Sequence, residues 1–246
     1  MAGHSKWKNI RLHKGKADVE RGKVFGRLSR ELTIAARAGG SPDSNPRLRI
    51  AIEKARESSM PQDNIKRAIQ KGTGELASET YEEVTYEGYG PGGAAVMVEA
   101  ATDNRNRTVA ELRNLFNKNG GSLGESGSVA WQFSRKGIIE VAATGASEDQ
   151  VMEVALEAGA EDLVDQGETF EVTTPPEDLA TVSDALKANG FQVTSAETQM
   201  VPSTTVQLEG ENARRMLKLM DVLEDQDDVQ HVAANFDIAD AVLESV

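Results

Sequence analysis

The 246-residue sequence contains no cysteine. Disulfides, thiolate metal sites and cysteine nucleophiles are therefore excluded, and the absence suits a reducing compartment. Aromatic residues are scarce at 4 %, so the cores must be built from Ala, Val, Leu and Ile. No stretch approaches the roughly 18 apolar residues of a membrane helix, so no membrane partner is expected. The first residues lack the apolar run of a secretory signal. Residues 1–17 hold several bases and no acid, but not the Ser/Arg-rich amphipathic pattern of a transit peptide. Patterns of chemistry are missing as well. There is no H-E-x-x-H and no G-x-x-x-x-G-K-[ST], and Gly124-Glu125-Ser126-Gly127 misses G-x-S-x-G by its last position. His4 and His13 stand far from His231. The expectation is a protein that is not an enzyme and that has no cofactor and no metal site.

Charge is present in quantity and unevenly placed. The chain carries a net −13, yet residues 1–71 hold 17 basic against 7 acidic residues, a local +10. The remainder holds 10 basic against 33 acidic residues, or −23. A basic end on an acidic protein points to an anionic partner there, with nucleic acid the first candidate.

Met1–Lys16 reads as a flexible basic arm in which Lys6, Lys8, Arg11, Lys14 and Lys16 recur around Trp7. Such a segment has little to bury and orders on binding. Trp7 either stacks on a base or packs on the helix behind it. Asp18–Ala38 reads as a long amphipathic helix ending at Gly39-Gly40. Phe25, Leu28, Leu32, Ala35 and Ala36 gather on one side, and Lys23, Arg27, Arg30 and Arg37 on the other. One helix then packs inward and shows cations outward. Asn45-Pro46 is a helix start, with Asn as N-cap and Pro at the first position. The helix Arg47–Glu57 follows. Gln62–Lys71 is a third helix, with Gly72 as its stop, and Thr73–Thr80 reads as a linker.

Period-2 patterning then takes over. Tyr81–Tyr89 and Ala94–Ala100 read as strands. Gly88, Gly90 and Gly93 satisfy G-x-G-x-x-G between them, but a dinucleotide fingerprint needs a helix directly after the glycines. Val96-Met97-Val98 says strand, so the glycines read as a hairpin connection. A helix from Asn106 to Lys118 follows Asp103-Asn104-Arg105-Asn106-Arg107-Thr108. Arg105 and Arg107 near its N-terminus oppose the macrodipole. Either an anion is held there or a local carboxylate such as Asp103 or Glu99 pairs with them. Ser128–Phe133, containing Trp131, reads as a strand.

From Gly137 a β-α-β-β-α-β order appears, the ferredoxin-like arrangement. Its strands are Ile138–Val141, Leu163–Asp165, Thr169–Thr173 and Val193–Met200. Its helices begin at capping boxes, Ser147 with Gln150 and Thr174 with Glu177. The flanking segments Ala94–Phe133 and Ser203–Phe236 join into a second such unit. The fold expected is multidomain α+β: a three-helix domain at 1–75, an α+β domain at 80–134 plus 201–246, and a second α+β domain at 135–200 inserted into it. The acidic run Glu224-Asp225-Gln226-Asp227-Asp228 reads as a solvated turn.

Several motifs, in this order, resemble the YebC/PmpR family, which includes the mitochondrial translational activator of cytochrome c oxidase. They are Met1–Trp7, Asn45–Arg49, Tyr86–Gly93, Thr102–Thr108, Ala155–Asp162 and Leu223–Phe236. The resemblance implies a three-domain cytoplasmic protein with a helical N-terminal domain, two α+β domains and no enzymatic activity. Members are described as DNA-binding transcriptional regulators or as ribosome-associated translation factors that help synthesis through proline runs. The sequence departs from the family pattern at Leu12 and at Glu20, and Glu20 weakens the segment Arg21-Gly22-Lys23 as a phosphate contact.

The candidate nucleic-acid contacts are Lys6, Trp7, Lys8, Arg11, Lys14, Lys16, Arg21, Lys23, Arg27, Arg30, Arg37, Arg47 and Arg49, with Arg105 and Arg107 of second rank. Cations on phosphates set affinity without reading sequence. No pair of helices shows the tight helix-turn-helix spacing of a groove reader. Three readings follow: a DNA-binding regulator, a translation factor on ribosomal RNA and thus on the ribosome, and a protein-interaction scaffold with a solvated basic surface. Oligomeric state is not legible.

Overall fold

The structure, a computed structural model, describes residues 19–77 and 80–239. It divides into two compact units. One runs to Phe133 and resumes at Pro202; the other is Ser134–Val201. The helical segment and the first α+β fold belong to the same unit. The class is α+β, with a helical N-terminal part and two sheet-based folds, as the sequence indicates.

Helix α1 (Val19–Ala35) runs on into a 3-10 turn at Ala36–Ala38. Helix α2 (Pro46–Glu57) starts where the sequence places it: the Asn45 side chain accepts from the Leu48 N–H at 3.1 Å. The same buried amide donates to the carbonyls of Ala35 and Gly39, each at 2.8 Å, and so ties the end of α1 to the start of α2. Helix α3 (Gln62–Thr73) continues through Gly72, and Gly74 in the left-handed conformation is its cap. Gly72 is therefore not the stop. A Cβ there would collide with the Thr33 carbonyl and lie 2.6 Å from the Ala36 Cβ. The missing side chain is what lets α3 press against α1. Leu32, Leu48, Ala51, Ala55 and Ile65 fill the core between the three helices.

In the first α+β fold, β1 (Glu82–Tyr89) and β2 (Ala95–Thr102) form an antiparallel hairpin. Helix α4 (Arg105–Lys118) and the two-residue β3 (Ser122–Leu123) follow. After the second unit come β8 (Val206–Leu208), α7 (Gly210–Glu224), β9 (Val229–Ala234) and β10 (Phe236–Ile238). The sheet order is β3-β1-β2-β9, antiparallel throughout. This is the ferredoxin-like order with two exchanges. The expected strands at 128–133 and 203–208 do not enter this sheet; β3 and β1 stand in their places, and β8 pairs in parallel with β10 instead. Buried Asn235 makes the switch. Its side chain accepts from the Ala95 N–H at 2.7 Å, ending β9 so that the chain can cross to β8. The hairpin glycines serve packing: a Cβ on Gly88 would lie 2.8 Å from the Phe116 ring, and one on Gly90 would meet Met216.

The second unit contains β4 (Phe133–Ala142), α5 (Glu148–Glu157), β5 (Asp162–Asp165), β6 (Thr169–Thr174), α6 (Leu179–Ala188) and β7 (Val193–Pro202). Its order β5-β6-β4-β7 is ferredoxin-like. Ser147 and Gln150 form the expected capping box. The second one does not form: α6 begins after Asp178 with no side-chain cap, and the Thr174 hydroxyl donates to the Pro175 carbonyl at 2.8 Å. Ser128–Phe133 is not a strand either. Ala130–Gln132 is a 3-10 turn that carries Trp131.

Candidate nucleic-acid interface

Lys6, Trp7, Lys8, Arg11, Lys14 and Lys16 lie outside the described residues, as does the Arg21 side chain. The remaining candidates fall into two groups: cations that the protein itself engages and cations that it leaves in solvent.

Lys23, Arg27 and Arg30 share one face of α1, as their spacing requires. That face meets the acidic run after α7. The Lys23 ammonium donates to the Asp225 carbonyl at 3.2 Å and stands 4.0 Å from its carboxylate. Asp225 caps the C-terminus of α7, so the cation also meets the negative end of the helix dipole. Arg30 donates to the Asp227 carbonyl, lies 3.9 Å from the Asp228 carboxylate and sits 5.8 Å over the Tyr81 ring. Arg27 has partners within the chain too. The acidic run forms the expected turn with Asp225 and Asp227 exposed, but its last residue departs from that reading: Asp228 is only 3 % exposed.

Asp228 is the centre of this contact. Its carboxylate accepts from Arg107 at 2.8 Å and from the Thr108 hydroxyl at 2.7 Å. Burial pushes its pKa up, but the bonds from Arg107 and Thr108 and the charges of Arg107 and Arg30 outweigh that and hold it below the ordinary aspartate value. Arg107 also bonds Asp103 at 2.8 Å. Its hydrogen bonds to Asp228 and then Asp103 raise its own pKa. The cations at the start of α4 thus have local carboxylates: Arg107 those two, and Arg105 the Glu82 carboxylate at 3.9 Å. A polar cleft of about 430 Å3 beside them is lined by Arg30 and Arg107 but also by Asp103, Glu111, Asp227 and Asp228. Its carboxylates disfavour a phosphate.

Arg47 is held by Glu31 at 2.9 Å and by Glu83 at 2.7 Å. Partial burial works against its charge, but the bonds and charges of Glu31 and Glu83 prevail and raise its pKa. Arg49 is engaged within the chain as well.

Arg37 is different. It stands exposed on the 3-10 turn with no ion pair among the described residues. Within the helical part, four cations that the sequence reading did not single out share this condition: Arg56 at the end of α2, and Lys66, Arg67 and Lys71 on α3. The close approach of Gly72 to Ala36 brings Lys71 and Arg37 into one neighbourhood, and Arg67 lies one turn back from Lys71. Helical spacing could have found them: Ile65, Ala68 and Ile69 turn inward, which leaves Lys66, Arg67 and Lys71 outward. Helices α2 and α3 are joined by only four residues, Ser58–Pro61. The helix bounds read from the sequence already leave these four residues, and the link is of helix-turn-helix length, contrary to the expectation that no pair of helices has that spacing.

Two family models match the chain: the TACO1/YebC protein N-terminal domain over residues 5–75, and the TACO1/YebC second and third domain over residues 81–236. The chain belongs to the TACO1/YebC family. Relatives are similar over almost their whole length. A probable transcriptional regulatory protein from Pelotomaculum thermopropionicum is 55 % identical over 98 % of this chain and 100 % of its own. A protein of the same description from Dictyoglomus turgidum is 54 % identical over all of both chains. Among solved structures, a conserved hypothetical protein from Aquifex aeolicus matches with a TM-score of 0.85 and 50 % identity, covering 92 % of this chain and 93 % of that one. No helix among the described residues is long and apolar enough to cross a membrane.

Proposed function

We propose that this TACO1/YebC protein is a non-enzymatic, cytoplasmic nucleic-acid-binding regulator of gene expression. Its contact surface is the open cationic face of the helical part, extended by the basic arm. The observation that carries this reading is the exposed set Arg37, Arg56, Lys66, Arg67 and Lys71, without ion pairs among the described residues, on a protein of net charge −13. Cations left uncompensated on an otherwise acidic molecule are available for phosphates. The acidic remainder repels the same polyanion and so orients the helical part toward it. The relatives' description as probable transcriptional regulatory proteins agrees with this role.

Duplex DNA is the favoured target. The four-residue link between α2 and α3 and the polar first turn of α3, Gln62-Asp63-Asn64, suit a helix offered end-on to a groove. Asn and Gln side chains read adenine edges there. Competition at physiological salt tests the choice, with labelled promoter-length duplex set against ribosomal RNA. Promoter duplex is expected to win over both random duplex and ribosomal RNA, and Arg67→Glu with Lys71→Glu is expected to weaken it about tenfold or more. Preferential retention on ribosomal RNA would replace the DNA reading with that of a translation factor.

A further inference from the structure

The loop before β4 is built to hold one indole in water. The Glu87 carboxylate, 6 % exposed, accepts the backbone N–H groups of Gly127, Val129 and Ala130 at 2.6, 2.7 and 2.8 Å. The Gln132 carbonyl beyond accepts from the Ser203 backbone N–H at 2.8 Å. Trp131 is thus pinned by the backbone on both sides while its side chain is 75 % exposed. Its indole N–H donates to the Ser128 carbonyl at 3.2 Å, and the Tyr89 hydroxyl donates to the same oxygen at 3.0 Å. One carbonyl fixes the polar ends of two exposed aromatic rings. What remains for a ligand is ring surface and the acceptor side of the Tyr89 hydroxyl, since both donors are committed.

We propose that Trp131 and Tyr89 form a stacking platform for an unpaired base of single-stranded nucleic acid, apart from the cationic helical face. The proposal takes its ligand class from the nucleic-acid reading above. The surroundings favour a base over a protein partner. A protein hot spot sits within a larger surface that excludes water, whereas the neighbours here are Gly124-Glu125-Ser126-Gly127-Ser128. The other exposed large apolar side chains of this unit, Val24 and Leu76, belong to the helical part. A cation is at hand for the strand's phosphates. Tyr89 pairs with Ser122 in the sheet, which brings up the end of α4, where exposed Lys118 has no ion pair among the described residues. Stacking on an aromatic face accepts any base and needs a free one, so duplex is excluded.

In a Trp7→Phe chain Trp131 is the only tryptophan, because the sequence has two. A short oligouridylate and a duplex of equal length would be titrated into it, reading indole emission and affinity together. The single strand is expected to quench the emission and the duplex to leave it unchanged. Trp131→Ala is expected to weaken the single strand by about 5- to 150-fold, and Trp131→Phe to recover part of the loss. A single strand that binds without quenching, and equally well to Trp131→Ala, would overturn the platform and leave the helical-face reading intact. An indole that responds to an added protein but to neither oligonucleotide would assign the pair to a protein partner and overturn it too. Binding of neither single strand nor duplex to any variant would defeat the nucleic-acid reading and the platform with it.

Discussion

Two faces of the helical part carry cations, and they differ in what stands opposite. On α1, Lys23 and Arg30 meet the end of α7 and the carboxylate of Asp228. On α3, Lys66, Arg67 and Lys71 meet solvent. Both faces look alike in composition. The first has its counter-charge within the same chain, so its cations serve folding. The second has none among the described residues, so its cations remain for a partner. A count of charge identifies the basic domain; only the pairing identifies the basic surface.

The strongest way to break this contrast is to remove Asp228. Its carboxylate gathers Arg107, Arg30 and Thr108, and its loss removes the shared counter-charge while each keeps other partners. Asp228→Ala is expected to destabilise the protein by about 2–4 kcal/mol, read by urea or thermal unfolding. The same site sets a pH dependence. Asp228 and Glu87 both have pKa values held below their ordinary carboxylate range. For Glu87, burial pushes up and the three backbone N–H groups outweigh it. A carboxyl lowered in the folded state contributes stability above its unfolded value, about 4, and loses it as pH falls through the folded value. Unfolding free energy is therefore expected to be flat near neutrality and to fall with acid from about pH 4 downward. Asp228→Ala should show a shallower fall.

Next in size is Gly72→Ala, which would force α3 away from Thr33 and Ala36. A loss of about 1–3 kcal/mol is expected, and nucleic-acid affinity should drop with it because Arg37 and Lys71 part company. The smallest effect sharpens the contrast. Lys23→Gln removes a half-exposed contact and is expected to cost less than about 1 kcal/mol of stability. Its nucleic-acid affinity should stay unchanged. A clear drop in affinity would place the α1 face among the contacts.

Local signals carried much of the fold. Asn45-Pro46 and Ser147 with Gln150 cap helices as expected, because a cap involves neighbours within one turn. Gly72 misled because a glycine near a helix end looks the same whether it caps the helix or admits another one. Val129–Phe133 has strand composition, yet Glu87 gathers the N–H groups at its start into a turn. The place of β1 between β2 and β3 was hidden for a similar reason, since strand order depends on pairing across the chain. The availability of the stripe on α1 was the least legible feature. It is decided by carbonyls and a carboxylate at 225–228, which no periodicity within α1 can report.

The most direct test is the salt dependence of duplex binding. Affinity would be measured across a range of salt for the unaltered chain, for Arg67→Glu with Lys71→Glu, and for Lys23→Glu with Arg30→Glu. Each variant would first be shown to be folded. If the α3 face holds phosphates, its reversal lowers the slope of log affinity against log salt by about 0.9 for each phosphate no longer neutralised, and the α1 reversal leaves the slope unchanged. An unchanged slope for the α3 variant with a reduced slope for the α1 variant would contradict the account and make the covered face the binding surface.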